Sequence, residues 1–288
     1  MGRSIVSEKI RLGQIDFTNV WPVFHYFPFA QNEDWLDTVK MVPTGLNKAI
    51  GDEEIDVAPI SSFAYGEMAE QLLLLPNLSV SALDEVKSIL LFHRKPIDQL
   101  SHATIALTNA SATSVNLLKI ILKKFYAITP TYVTMQPNLD EMLVEAEAAL
   151  LIGDDALTAA ASLTDSSIQV TDLATLWRER TGFGMTFAVW AVREKVALQS
   201  PEKIKALYQA FIASKEKGLT DLQPIVDRAV TTLGGSRAEW DTYFRTLTYD
   251  FDADLQRGLS YYFELCHEQG LLPRAVSLRF WSNPEETR

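Results

Sequence analysis

Two runs of hydroxyl residues stand where apolar strands give way to helices. In I-D-V-A-P-I-S-S-F-A-Y-G, residues 55–66, an apolar run stops at Ser61 and Ser62 before a segment able to begin a helix. In T-I-A-L-T-N-A-S-A-T-S-V, residues 104–115, a β-rich run ends in Ser111, Thr113 and Ser114 before an amphipathic segment at 117–125. Ser and Thr at a helix start cap exposed backbone N–H groups, and those groups together with the helix dipole favour a carboxylate or phosphate just beyond them. Capping alone accounts for either run taken singly. Two such starts facing each other can hold one small anion.

Other residues could join such a site. Asn19 follows the first strand in D-F-T-N-V-W-P, and its amide can donate and accept at once, which suits a substrate carrying both a hydroxyl and a carboxylate; capping of the next helix is the competing role. Gly153-Asp154-Asp155 also ends a strand and opens a helix, so Asp154 is either an N-cap or an acid/base group. His25, in an aromatic segment, titrates near neutrality if it lines a cleft and is otherwise a packed structural histidine. Thr181-Gly182-Phe183-Gly184 precedes a returning strand and suits either a cleft wall or a plain turn. Trp177, Trp190 and Cys266 read as core residues. His93, His102 and His267 lack metal-ligand spacing, and there is no phosphate loop, nucleophile elbow or dinucleotide fingerprint. No metal and no cofactor are expected.

The elements that must position these residues alternate. Strands are predicted at 10–15, 38–42, 55–60 and 88–92, with helices at 45–50 and from about 20 to 29, where Pro22 fits a first turn. After Lys95-Pro96 the pattern restarts: strand 104–107, helix 113–125, strand 131–135, helix 139–146, strand 148–152. Leu118, Ile121, Leu122 and Phe125 share one helical face, and Lys119, Lys123 and Lys124 lie off it as a solvated face. Another strand falls at 185–192, and the chain is helical in pattern from Pro201 almost to Leu272. The expected fold is α/β in two lobes with a ligand cleft between them: 1–94 with 190–288 forms the first lobe, and 95–189 is inserted as the second.

Composition narrows the function classes. The chain has 288 residues and a formal charge of −11, so nucleic acid, which needs a basic patch, is not an expected partner. A small anion remains compatible, because a pocket's own donors set its local field. The N-terminal M-G-R-S-I-V-S-E-K-I has no apolar region of the export type, no run is long enough to cross a membrane, and Cys266 is the single cysteine. A cytoplasmic protein is expected, and a homodimer is compatible with these features.

Taken in order, I-D-F-T-N-V-W-P, V-P-T-G-L-N-K-A-I, I-D-V-A-P-I-S-S-F-A-Y-G, S-A-T-S-V-N-L-L, L-L-I-G-D-D-A-L, D-L-A-T-L-W-R-E-R-T-G and F-A-V-W resemble the chorismate dehydratase family of the futalosine route to menaquinone. The match runs from Ile10 to Trp190 and continues more weakly through Y-Y-F-E-L-C-H-E-Q-G-L-L, residues 261–272. Phe183-Gly184 departs from it, standing where the family pattern has Leu-Pro. The resemblance implies a fold like that of type II periplasmic binding proteins, used as a cytoplasmic enzyme. It also implies chorismate as the substrate and 3-[(1-carboxyvinyl)oxy]benzoate as the product. A small-acid solute-binding protein, a ligand sensor of the same fold and the related dihydroxynaphthoate synthase are the competing readings.

Overall fold

The computed structural model describes residues 9–15 and 17–282, so most of the N-terminal segment read for export lies outside the described residues. The first strand, β1 (Ile10–Ile15), is followed by a 3-10 turn (Thr18–Val20) and a short helix, α1 (Trp21–Phe24). Then come β2 (Leu36–Met41), α2 (Pro43–Gly51), β3 (Val57–Ser61), α3 (Ser62–Met68) and β4 (Leu72–Ala82). The chain crosses into a second lobe made of β5 (Ile89–His93), β6 (Thr104–Thr108), α4 (Ala112–Phe125), β7 (Thr131–Met135), α5 (Leu139–Glu145) and β8 (Ala148–Ile152). That lobe ends with α6 (Gly153–Ser162), β9 (Gln169–Asp172) and α7 (Leu173–Thr181). The return strand β10 (Met185–Arg193) leads to α8 (Glu194–Gln199), α9 (Pro201–Thr220), α10 (Gln223–Leu233), α11 (Arg237–Thr246), β11 (Leu247–Thr248) and α12 (Ala253–Glu268).

Each lobe is built on one mixed sheet. The first has strand order β11-β4-β10-β3-β1-β2, and the second β7-β6-β8-β5-β9. Within the first, β1 pairs in parallel with β2 and β3, whereas β10 runs antiparallel to β3 and β4. In the second, β6 is parallel to β7 and β8, and β5 is antiparallel to β8 and β9. Central strands such as β3, β8 and β10 are buried along their whole length because helices cover both faces, which is why they read as unbroken apolar runs. Strand membership moves the crossings a few residues earlier than the boundaries at 94/95 and 189/190. Ile89–His93 pairs with β8 and β9, and Met185–Arg193 pairs with β3 and β4, so the chain crosses through 83–88 and again through 182–184.

One local expectation needs revision, and two strands carry no expectation from the sequence. The aromatic segment at 20–29 is helical only over Trp21–Phe24, because Phe24, Phe27 and Phe29 turn together onto Phe211, Trp190 and one another at ring separations of 4.7 to 6.5 Å. Burial of those rings outweighs continuing the helix. The run L-L-L-L-P-N-L-S-V-S-A is an eleven-residue strand, β4, despite Pro76. It tolerates the proline through an irregular register, with Asn77 at φ 54° and its side-chain oxygen accepting the Phe251 N–H at 3.0 Å. The other is the short edge strand β9, which lacks a strong apolar pattern because its residues are exposed or half-buried.

The 3-10 turn before α1 is held at the cleft partly by α9. A Cβ added at Gly218 would lie 2.0 Å from the Pro22 carbonyl oxygen, so α1 and α9 approach this closely only because residue 218 has no side chain. Gly218→Ala should therefore cost about 1–3 kcal/mol of stability through overpacking. Urea unfolding of the variant beside the parent, compared at constant m-value, measures it; an unchanged midpoint would mean that α1 is not held by this contact.

Candidate functional site

A cavity of about 50 Å³ lies between the lobes, bordered by the carboxyl ends of β1, β3 and β8 and by the start of α4. Its polar lining comes from Asn19, Ser61, Ser88, Ser111 and Ser114, and its apolar walls include Ile15, Val80 and Phe187. The two serine runs therefore meet, as their positions after β3 and β6 require in an α/β sheet.

Ser61 is the N-cap of α3. Its hydroxyl oxygen accepts the Ala64 N–H at 3.2 Å and the Asn47 side-chain amide at 3.1 Å, while Asn47 Oδ1 accepts the Ser61 N–H at 3.0 Å. With two donors already directed at its oxygen, the Ser61 proton is left to donate into the cavity. Ser111 caps α4 by accepting the Ser114 N–H at 3.1 Å and donates its own proton to Ser114 Oγ at 3.0 Å. That arrangement leaves the Ser114 proton to donate. The first turn of the fourteen-residue α4 adds backbone N–H groups that have no intrahelical acceptor.

Ser62 and Thr113 are placed differently. Ser62 is fully buried and donates to the Thr186 carbonyl at 2.7 Å, which ties α3 to β10. Thr113 Oγ1 accepts the Phe63 N–H at 2.9 Å, joining the first turns of α3 and α4 across the two lobes. Neither side chain lines the cavity, and each holds the elements that do.

Asn19 half-emerges into the cavity from the 3-10 turn, and its side-chain oxygen is buried without a hydrogen-bond partner among the described residues. Asp154 does not cap α6, whose N-cap is Ile152. Its carboxylate instead accepts from Thr18 on the other lobe, from the hydroxyl at 2.5 Å and from the backbone N–H at 3.3 and 3.4 Å. His25 stands apart, beside Tyr26, with burial and then Arg228 lowering its pKa and Asp221 opposing them. Thr181 and Gly182 also lie off the cavity. Gly182, at φ 76°, closes α7 by donating to the Arg178 carbonyl at 2.8 Å, and Thr181 bonds back to the Trp177 carbonyl at 2.8 Å.

Sequence reasoning missed Ser88, Tyr243 and Asp172. Ser88 lies in the crossing segment, lines the cavity, and accepts from the Tyr243 hydroxyl at 3.0 Å. Tyr243 is fully buried, which raises its pKa; its bond to Ser88 counts the other way, and the charge of Asp154 adds to the rise. Asp172 caps α7 with one oxygen and with the other accepts the N–H groups of Val86 at 3.0 Å and Lys87 at 2.7 Å. It thereby fixes the segment that presents Ser88. Burial raises the pKa of Asp172 and these N–H bonds counter it. A polar residue at the head of an apolar strand was the one available signal for Ser88, and an isolated tyrosine in an amphipathic helix carries none. Trp177, Trp190 and Cys266 are core residues, and burial pushes the Cys266 thiol up to about 12. Among the described residues, no three His, Cys, Asp or Glu side chains gather as a metal site, and no helix is long and apolar enough to cross a membrane.

The fold is that of periplasmic binding proteins. The aliphatic sulphonate binding protein SsuA of Escherichia coli superposes with a TM-score of 0.67 over 96% of this chain and 98% of its own, at 16% identity. Protein AF1704 of Archaeoglobus fulgidus superposes with a TM-score of 0.72 over 93% of this chain and 100% of its own, at 18% identity. Among curated sequences, the chorismate dehydratase of Thermus thermophilus is 32% identical over 266 residues, which is 88% of this chain and 93% of that protein. The profile of the menaquinone biosynthesis family matches residues 10–268, and this chain is a member of that family.

Proposed function

We propose that this protein is a chorismate dehydratase, a hydro-lyase of menaquinone biosynthesis. It eliminates water from chorismate to give 3-[(1-carboxyvinyl)oxy]benzoate. The observation that carries the reading is the meeting of Asn19, Ser61 and Ser114 donors in one inter-lobe cavity, in a chain 32% identical to a chorismate dehydratase over 88% of its length.

Chorismate carries two carboxylates on a cyclohexadiene. The hydrogen on the ring carbon bearing the enolpyruvyl ether is acidified through the conjugated ring carboxylate. Its removal drives negative charge onto that carboxylate, the neighbouring hydroxyl then leaves with a proton as water, and the ring becomes aromatic. Donors already aimed where the charge grows lower this barrier, at about 3 to 4 kcal/mol for a single donor in comparable oxyanion sites. The Ser61 hydroxyl and the α4 start with Ser114 supply two such donor sets, one for each carboxylate.

The proton needs an acceptor. Among the described residues lining the cavity none is ionisable, Asp154 is engaged by Thr18, and His25 lies off the cavity. The enolpyruvyl carboxylate of the substrate itself then removes the ring proton and passes it to the departing hydroxyl, so that atoms and charge balance without an enzyme base. Asn19, with an unpartnered amide oxygen at the cavity, orients that carboxyl group or the leaving hydroxyl. Aromatisation supplies driving force, so a weak base held at short range suffices. Pockets for molecules of this size commonly occupy about 300–1,000 Å³, well above the 50 Å³ of this cavity, so the lobes part to admit chorismate.

Incubation of the purified protein with chorismate should yield an aromatic enol ether one water lighter than the substrate by mass spectrometry. An unchanged substrate pool would leave small-acid binding as the better reading.

Asn19→Ala should lose most turnover with an unchanged thermal midpoint, because the side-chain oxygen has no partner to lose. Ser61→Ala and Ser114→Ala should raise KM, and the one facing the ring carboxylate should also lower kcat. Wild-type kinetics in all three would reduce these residues to structural roles.

A chorismate analogue with the side-chain carboxylate esterified should bind yet not eliminate water, whereas His25→Gln should stay near the parent rate. The analogue is assayed at saturation, with occupancy from calorimetry, because esterification also removes binding energy. Elimination at a normal rate from the saturated analogue would exclude the substrate as base.

A further inference from the structure

We infer that Asp154 is a positioning residue that couples closure of the lobes to the orientation of Asn19. The inference rests on the role of Asn19 proposed above. Asp154 stands in the first turn of α6 on the second lobe, and Thr18 directly precedes Asn19 on the first. Both donors of Thr18 point at this one carboxylate: the hydroxyl reaches Oδ1 at 2.5 Å, and the N–H lies 3.3 Å from Oδ1 and 3.4 Å from Oδ2. Thr18 is wholly buried, so the bond forms out of water, where a charged acceptor counts for more.

The neighbouring contacts bring the same two segments together. Gly153 takes φ 58°, and a Cβ there would come within 3.1 Å of the Phe17 ring, so the absent side chain lets the 17–19 turn press against the start of α6. The Gly153 N–H donates to the Ser88 carbonyl at 2.6 Å, and the Tyr243 hydroxyl donates to Ser88 Oγ at 3.0 Å. A single buried network therefore fixes the turn that carries Asn19 and the segment that carries Ser88. When the lobes part, Thr18 leaves Asp154 and the turn loses its lobe-2 anchor, so Asn19 is aimed only in the closed form. Such coupling confines the chemistry to a site that has closed on its substrate.

The test combines kinetics with a distance that needs no substrate. Thr18→Val and Asp154→Ala should each lower kcat about 10²-fold, the scale of a small misplacement of a reacting group, with smaller changes in KM. The double variant should be no worse than the poorer single one, and Thr18→Ser should restore the parent rate. For the distance, spin labels go on Val144→Cys and Leu198→Cys, which are 80% and 76% exposed on α5 and α8, while buried Cys266 stays unlabelled. Pulsed electron resonance on the protein alone should show longer inter-lobe distances in Thr18→Val and Asp154→Ala than in the doubly labelled parent. Loss of activity in Asp154→Ala with parental activity in Thr18→Val would overturn the inference in favour of a directly acting carboxylate. Unchanged distances in both variants would also overturn it. If the parent protein does not convert chorismate, the proposed activity fails, and the distances still decide the coupling.

Discussion

The hydrogen bond from the Phe63 N–H to the Thr113 hydroxyl sets the spacing of the two lobes at the site. It takes the first turn of one helix and satisfies it with a side chain from the first turn of another, so α3 and α4 meet start to start. Two positive helix ends would repel if nothing stood between them. Here the Ser61 and Ser111 caps and the Thr113 hydroxyl occupy that space with oxygens, and the hydroxyl protons of Ser61 and Ser114 are left for the cavity. An anion placed there completes an arrangement whose donors are already oriented. That is the condition under which a hydrogen bond stabilises developing charge without reorganising first.

Behind the site, a chain of buried polar groups of the first lobe is paired internally. Ser79, Ser81 and Thr186 are all fully buried and form a chain with bonds of 2.8 and 2.9 Å, and Ser62 joins it at the Thr186 carbonyl. The chain ends on the Asp250 carbonyl, beside which Lys215 pairs with the Asp250 carboxylate at 2.5 Å. Buried hydroxyls left unpaired would each cost about 1–3 kcal/mol, so a closed chain keeps β4, β10 and α3 in one register. At the amino end of β3 in the same sheet Asp56 does similar work, accepting from Arg11 at 2.5 and 2.9 Å and from Arg193 at 3.3 Å. Removing one partner of such a buried group costs more than the group contributes when paired. The scaffold is therefore held in register where it carries the caps.

How much of this was legible in the sequence depends on the range of the interaction. Strands 10–15, 131–135 and 148–152 coincide with β1, β7 and β8 because their apolar runs are local and bounded by turn residues. The caps Ser61 and Ser111 were visible for the same reason, since a cap is a property of four consecutive residues. The roles of Ser62 and Thr113 were not, because their partners are Thr186 and Phe63, 124 and 50 residues away. Asp154 stood at a helix start and looked like a cap, yet its partner Thr18 is 136 residues distant. Ser88 and Asp172 belong to the same class, being joined only through the crossing segment and its β5/β9 neighbour.

The electrostatics of the chain bear on why neutral donors suit this site. With a formal charge of −11, the protein as a whole repels a dianion, and only a short-range field can hold one. A lysine or arginine in the cavity would bind the two carboxylates more strongly, but it would also stabilise them in the ground state and lower the basicity of the carboxylate that has to take the ring proton. Hydroxyls and helix N–H groups hold charge while shifting that basicity less. The proposed binding by Ser61, Ser114 and the α4 start, with orientation by Asn19, therefore suits a reaction in which the substrate carries its own base. The same economy bears on closure: donors this weak gain their effect only when water is excluded, and the contacts that join the lobes, Phe63 to Thr113 and Thr18 to Asp154, flank the residues proposed to bind the substrate.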